Sequence, residues 1–303
     1  MARRVGAQIV TMNGDAAAGG PGQILWLASY PKSGNTWVRL FLANLLGPGD
    51  APARINEIDR TPMAAGRDLF EDVTGLESSE LAPDETLRLR RDVFHWVSQR
   101  ADGVLPCKIH DAFIRLPDGR PMIDPAVTFG ALYILRNPLD VAVSLRHHLG
   151  LSADAVIDRM ADDAFRIGGR GRPQLRQPLG TWSAHVTGWL SAPGIPVMVT
   201  RYEDLSALPA DTFARVAAFS GSDVPAARIG RAIEFSSFAE ARRQEDEGGF
   251  IERPAGAERF FRVGRVGSWR DDLTPAQVDR LVESHFEVMR RFDYVDGEGR
   301  PVP

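Results

Sequence analysis

Four short apolar segments, each followed by a helical pattern or by a polar turn, constrain the fold of this chain more than any other feature. They occupy residues 24–28, 104–109, 131–135 and 196–200, and no internal repeat accompanies them. Apolar strands that alternate with helices are typical of a parallel sheet covered by helices on both faces. The sequence therefore predicts an α/β fold of this kind.

Length and composition are consistent with one enzyme-sized domain. The chain has 303 residues, and 44% of them are hydrophobic, which is enough for a large single core. Residues 1–20 are rich in Ala and Gly and contain no continuous apolar stretch, so we expect a flexible segment and neither a signal peptide nor a membrane anchor. The predicted domain is 21–303.

Charge and cysteine content exclude several classes of protein. A formal net charge of −4, without basic tails or runs of like charge, argues against a partner such as a nucleic acid or an anionic membrane. The one cysteine, Cys107, cannot form an intramolecular disulfide and suits a reducing compartment. We therefore expect a soluble, cytoplasmic protein, with Cys107 packed in a strand.

The two lysines of the chain stand out against its 34 arginines. Lys32 follows the first predicted strand, and Lys108 lies near the end of the second, two residues before His110. A lysine carries a compact charge on a flexible stem, which a planar guanidinium does not reproduce. Their retention at these two positions indicates a functional site.

The first predicted strand runs into a turn and a helix. The turn is Tyr30-Pro31-Lys32-Ser33-Gly34-Asn35-Thr36-Trp37, and apolar residues then recur at helical spacing until Gly47-Pro48. The unpaired N–H groups at the start of such a helix can hold a phosphate. This is not a Walker A loop, because Lys32 precedes the only glycine of the turn. A P-loop nucleotide kinase would share the fold, but the misplaced lysine and the lack of a clear magnesium site weigh against it.

This turn resembles the phosphosulfate loop of sulfotransferases that use 3′-phosphoadenosine 5′-phosphosulfate (PAPS). Three further segments resemble the same family, in the same order along the chain, and the match extends from residue 24 to about 292. They are Arg136-Asn137-Pro138 through Ser144, the tyrosine of Tyr202-Glu203-Asp204-Leu205, and Arg262-Val263-Gly264 through Trp269. The resemblance implies a P-loop-like parallel sheet and PAPS as the donor, with its desulfated product PAP.

The family pattern implies a nucleotide site formed by several segments. The phosphosulfate group would lie on the turn formed by Lys32, Ser33, Gly34, Asn35 and Thr36. Trp37 and Phe238 would sandwich the adenine, with Tyr202 and Ser236 at its edge. Arg136, Ser144 and Arg262 would hold the 3′-phosphate, together with the backbone of Val263 and Gly264.

Three positions depart from the family pattern. Many relatives carry Lys where this chain has Val263 and Arg270, so one donor to the 3′-phosphate is missing. Asn35 replaces the commoner Thr, and its amide can donate to a phosphate oxygen.

Sulfuryl transfer places negative charge on the departing phosphate and requires a proton to leave the acceptor. Lys32 is the candidate cation for that phosphate, and no metal is expected. His110 is the candidate general base, since it alone of the six histidines follows a strand end in the Lys-x-His pattern that resembles the family's base. Lys108 either stabilises the transferring sulfuryl oxygens or orients the site.

The acceptor is expected to be the hydroxyl or amine of a small molecule. Its pocket would be built from the loops at 48–82, 111–122 and 166–179, and residues 168–173 form either a mobile lid or an ordinary loop. The sequence leaves the oligomeric state open. A catalytically inactive nucleotide-binding protein is a further alternative, which the presence of Lys32, Lys108 and His110 disfavours.

Overall fold

The computed structural model describes residues 9–10, 23–58, 62–169, 171–254 and 256–302. Of the N-terminal segment predicted to be flexible, only Ile9 and Val10 are included, and the rest of residues 1–20 lies outside the described residues.

Four parallel strands form the centre of the molecule. The strands are β1 (Ile9–Val10), β2 (Gln23–Ala28), β3 (Val104–Ile109), β4 (Thr128–Leu135), β5 (Arg166–Ile167), β6 (Gln177–Pro178) and β7 (Val197–Arg201). The main sheet has the order β1-β7-β4-β2-β3, with β1 antiparallel at the edge and the other four parallel. All four predicted strands are therefore confirmed, and β4 begins three residues earlier than predicted.

The described ranges also contain twelve α-helices. They are α1 (Asn35–Leu46), α2 (Arg67–Thr74), α3 (Pro83–Arg100), α4 (Pro138–Leu149), α5 (Ala153–Met160), α6 (Trp182–Leu190), α7 (Tyr202–Ala207), α8 (Pro209–Phe219), α9 (Ala226–Phe235), α10 (Phe238–Gly248), α11 (Trp269–Asp272) and α12 (Pro275–Arg291). Within the described ranges, no helix is both long enough and apolar enough to cross a membrane.

Both faces of the sheet are buried, as the apolar strands require. Side chains alternate along β2, so that Trp26 packs with Phe94 of α3 on one face, while Leu25 and Leu27 join Phe41 of α1 on the other. Helices α3, α4, α6 and α12 contribute to the first layer and α1, α8 and α9 to the second. The predicted single α/β domain with helices on both faces is confirmed.

Local sequence signals place the helices that matter for the site. Asn137 caps α4 by accepting a hydrogen bond from the Leu139 N–H, and Pro138 takes the first helical position. Thr274 and Gln277 form a reciprocal capping box at the start of α12. Cys107 is buried in β3, as expected, and burial raises the pKa of its thiol to about 12.

Residues 166–169 and 171–179 form the two sides of a hairpin. Strands β5 and β6 pair antiparallel, and the connecting residues are tied to the start of α2. Arg67 donates to the carbonyl oxygens of Arg172 and Gly169, at 2.9 Å each, and the Leu175 N–H donates to the Ala65 carbonyl oxygen at 2.8 Å. These contacts favour the ordinary loop over the mobile lid.

Candidate active site

The turn between β2 and α1 contains two residues in the left-handed backbone conformation. Lys32 and Gly34 have φ values of 71° and 103°, so both adopt left-handed conformations. A Cβ on Gly34 would lie 2.7 Å from Cδ2 of Tyr202, which leaves room for glycine alone. The Trp37 N–H donates to the Gly34 carbonyl oxygen at 3.0 Å, whereas the N–H groups of Asn35 and Thr36 have no acceptor among the described residues. The turn therefore presents N–H donors at the positive end of a twelve-residue helix.

The side chains of this turn divide between support and binding. The Asn35 amide donates to the Leu27 carbonyl oxygen at 2.7 Å and to the Ser29 hydroxyl at 3.2 Å, so both of its hydrogens are used inside the protein. This corrects the expectation that the amide donates to a phosphate, for which the Asn35 backbone N–H remains. Ser33 Oγ is buried without a hydrogen-bond partner among the described residues, as expected for a hydroxyl whose partner is a bound ligand.

The end of β3 places His110 beside the same turn. His110 Nδ1 lies 2.9 Å from the Ser29 carbonyl oxygen and 3.2 Å from the Ser29 hydroxyl. A carbonyl oxygen can only accept, so Nδ1 must donate, and Nε2 of the neutral ring carries the free lone pair. Burial, followed by the nearby Lys108 charge, holds the pKa of His110 well below 6.5. The ring is thus neutral and able to accept a proton.

A buried histidine from α6 supports His110 from behind. His185 Nε2 donates to the His110 carbonyl oxygen at 2.9 Å, and the Tyr133 hydroxyl donates to His185 Nδ1 at 2.8 Å. Both ring nitrogens of His185 are therefore used in hydrogen bonds inside the protein.

Lys108 pairs with a residue that sequence reasoning missed. Its Nζ lies 2.7 Å from Oε2 of Glu252, while Oε1 of Glu252 lies 2.5 Å from Nη1 of Arg39. Burial lowers the pKa of Lys108, and Glu252 opposes that change. Although burial alone would raise the pKa of Glu252, Lys108 and Arg39 hold it below its usual range. A single glutamate in a loop gives no sequence signal, because its partners are distant along the chain.

The segment that carries Glu252 is attached at a second point. Glu245, in the last turn of α10, accepts hydrogen bonds from the N–H groups of Phe260 and Phe261 at 2.7 and 2.9 Å. The Phe260 ring in turn covers Lys32 Nζ, which is 3.9 Å from the ring centroid. The stretch of chain on the two sides of residue 255 therefore contacts both lysines of the site, Lys108 through Glu252 and Lys32 through Phe260.

Lys32 has an unusual protonation equilibrium. Burial, then the charges of Lys108 and Arg136, lowers the pKa of its ammonium to about 7. A nearby anion would raise the pKa of Lys32 toward its ordinary value, which suits a residue that faces a phosphate.

A cavity of about 470 Å³ adjoins Lys32 and brings together three predicted phosphate ligands, Lys32, Ser144 and Arg262. Its other lining residues come from α4, α10 and the 254–260 segment, namely His147, His148, Arg242, Pro254, Gly256, Ala257, Glu258, Arg259 and Phe260. Cations outnumber carboxylates around this space, so it suits an anionic ligand.

Arg136 joins the phosphate turn to the C-terminal loop. Its guanidinium donates to the carbonyl oxygens of Lys32 at 3.1 Å and Arg265 at 3.2 Å. Asp140, one turn further along α4, accepts from the N–H groups of Gly267 and Trp269 and from the Ser268 hydroxyl, at 2.8 to 3.0 Å. Asp140 is another functional residue that the sequence did not reveal.

The residues predicted to surround the adenine lie in two groups. Trp37 contacts Tyr202 and Phe213 edge to face, and the Arg136 guanidinium lies 4.3 Å from the centroid of the Tyr202 ring.

The second group is formed around Phe238. This ring packs against Phe261, and a Cβ on Gly264 would overlap with it. Ser236 donates its hydroxyl to the Ile233 carbonyl oxygen at 3.1 Å. Val263 is exposed. The sandwich of Trp37 and Phe238 and the role of Ser236 stay predictions.

A phosphate-binding turn, a neutral histidine and a cationic cavity at one end of a parallel sheet define a group-transfer enzyme with an anionic nucleotide donor. The family described as "Sulfotransferase domain" matches residues 129–293, more than half of the sequence. This chain belongs to the sulfotransferase domain family.

Curated relatives and solved structures agree with this assignment. The chain is 26% identical to "Sulfotransferase 1A1" of Bos taurus over 277 residues, which cover 86% of this chain and 81% of the relative. It is 25% identical to "Flavonol 3-sulfotransferase" of Flaveria bidentis over 273 residues, covering 85% and 78%.

Two solved structures share the fold. Retinol dehydratase in complex with androsterone and the inactive cofactor PAP matches with a TM-score of 0.61 at 19% identity, covering 91% of this chain and 83% of that one. Mouse sulfotransferase SULT7A1 complexed with PAP matches with a TM-score of 0.55 at 19% identity, covering 91% and 87%.

Proposed function

We propose that this sulfotransferase moves the sulfuryl group of PAPS to the hydroxyl or amine of a small-molecule acceptor by in-line transfer. The observation that carries the proposal is the contact between His110 and Ser29. Through it, a base at the end of β3 lies beside a phosphate turn that is 81 residues away in sequence. The proposed base and donor site would thus lie at the ends of two neighbouring parallel strands, β3 and β2.

Proton removal from the acceptor is assigned to His110. The Ser29 carbonyl oxygen fixes the tautomer in which Nε2 is unprotonated, and burial keeps the ring neutral. As the acceptor atom forms its bond to sulfur, its proton passes to Nε2, and the bond between sulfur and the 5′-phosphate oxygen breaks.

We assign stabilisation of the negative charge on the departing phosphate to Lys32 and the N–H groups at the start of α1. The unpartnered Ser33 hydroxyl fits an oxygen of the same group. Contact with the sulfuryl oxygens is assigned to Lys108, which lies on β3 two residues before His110.

Relatives suggest the kind of acceptor. The names of two proteins related in sequence or fold refer to a flavonol and to retinol. By analogy, we propose a small apolar molecule that bears a hydroxyl group. The kinase alternative is not favoured, because the left-handed Lys32 precedes Gly34 and the turn lacks the Walker A order.

We expect the purified protein to transfer labelled sulfate from PAPS to members of a panel of phenols and alcohols. Activity should persist in EDTA, since cationic side chains and helix N–H groups take the place of a metal. Adenosine 5′-phosphosulfate, which lacks the 3′-phosphate, should be a much poorer donor. Loss of transfer in EDTA, with recovery on adding magnesium, would instead favour the kinase.

Binding of PAP at pH 8 should be accompanied by proton uptake. With a pKa of about 7, the Lys32 ammonium is about nine-tenths neutral at this pH in the free protein. A bound phosphate stabilises the ammonium and raises its pKa, so Lys32 takes up a proton on binding, and PAP affinity falls as the pH rises above 7. Calorimetry in two buffers of different ionisation enthalpy measures this uptake.

Lys32→Arg provides the control, because a guanidinium stays charged at every relevant pH. The variant should bind PAP without proton uptake. An equal uptake in both proteins would assign the proton to another group.

A further inference from the structure

The loop that follows Phe261 has one cation fewer than the same loop in many sulfotransferases. Position 263 is a valine with 36% of its surface exposed, where many sulfotransferases have lysine. The 3′-phosphate of the proposed donor would therefore meet Arg136, Ser144 and Arg262 without that fourth side-chain donor.

Helix α10 places another cation beside this loop. Arg242 Nη1 donates to the Arg262 carbonyl oxygen at 3.2 Å, and Arg242 lines the same cavity as Ser144 and Arg262. Phe238 lies one turn earlier on the same helix, and its ring packs against Gly264. One face of α10 therefore touches the loop on both sides of Val263.

The charge of Arg242 is available to a ligand. Its neighbour Arg243 pairs with Glu240 and Glu247, and Arg259 of the same cavity pairs with Asp246. Among the residues that the structure describes, no carboxylate pairs with Arg242, and a guanidinium has five N–H donors, of which the Arg262 carbonyl uses one. A half-buried cation of this kind suits a phosphate.

We propose that Arg242 binds the 3′-phosphate of the donor nucleotide and supplies the charge that Val263 lacks. The inference rests on the proposed function, because it assumes a 3′-phosphorylated adenosine donor. It adds a binding residue from α10 to a site otherwise formed by α4 and the C-terminal loop.

The test compares PAP with adenosine 5′-phosphate (AMP), which differs only in lacking the 3′-phosphate. Calorimetry on the full chain should show that Arg242→Ala weakens PAP binding about tenfold, the factor for one charge-assisted contact in partly solvated surroundings, and leaves AMP binding unchanged. Arg243→Ala, one residue along the helix, is the matched control and should change neither. Adding Val263→Lys to Arg242→Ala should restore most of the preference for PAP.

Four results would contradict either the role of Arg242 or the proposed function. An unchanged PAP affinity in Arg242→Ala, or an equal loss for PAP and AMP, would overturn the inference, the latter by showing that Arg242 only supports the loop. Failure of Val263→Lys to restore the preference would overturn the idea that the two positions serve one phosphate. If the wild-type protein does not prefer PAP to AMP, the proposed function fails instead.

Discussion

His110→Ala is expected to lower kcat by roughly 10² to 10⁴, the usual contribution of a positioned general base. The Kd for PAP should stay within a few fold of wild type, because His110 acts on the acceptor and its ring contacts the protein through Ser29. Steady-state kinetics with PAPS and calorimetry with PAP measure the two quantities. Retained turnover would remove His110 from the mechanism.

The pH profile gives a second readout of the same assignment. Burial and the Lys108 charge hold the pKa of His110 well below 6.5, so the ring is still neutral at pH 6.5. The acidic limb of kcat/KM should consequently lie below that pH, and His110→Ala should abolish it. His95→Ala is the control, since His95 lies on α3 beside Asp124, and it should leave kcat and the profile unchanged.

Sequence patterns located the framework of this site because its signals are local. The apolar run of β2, the glycine of the turn and the periodicity of α1 lie within two dozen residues, and each follows from the conformational preferences of nearby side chains. Pro138, in one of the segments that resemble the family, begins α4 for the same local reason. His110 was identified by its position at a strand end, which the parallel register of β2 and β3 then brings to Ser29.

Residues that act through distant contacts escaped prediction. Glu252 meets Lys108 across 144 positions, and Asp140 meets the 267–269 backbone across 127 or more. Neither belongs to a local pattern, since an acidic residue in a loop or a first helical turn is ordinary. Asn35 shows the converse error, because its side chain matched a ligand role in sequence but is used to brace the turn.

Another distant contact stabilises the end of β3 that carries His110. Arg90 of α3 and Asp111 are joined by two hydrogen bonds of 2.7 Å, and their side chains are 1% and 0% exposed. Arg90 also donates to the Ala64 carbonyl oxygen at 3.2 Å, while the Asp111 carbonyl oxygen accepts from Trp189 Nε1 at 2.9 Å. The residue next to the base is therefore fixed to two helices.

Asp111→Asn is expected to lower the free energy of unfolding by about 3 to 5 kcal/mol. The substitution keeps the shape of the side chain but leaves the Arg90 guanidinium buried without a counter-charge. Urea denaturation followed by fluorescence measures the change, which should appear as a lower midpoint at an unchanged slope.

Two variants separate the buried pair from other effects of the substitution. Asp118→Asn breaks an exposed pair with Arg120 and should leave the denaturation midpoint close to that of the wild type, because water solvates both charges once they part. Arg90→Met combined with Asp111→Leu removes both buried charges and should recover much of the stability lost in Asp111→Asn. If the double variant is less stable than Asp111→Asn, the pair stabilises the fold by more than the neutralisation of its two charges. The hydrogen bonds from Arg90 to carbonyl oxygens would then account for part of that stability.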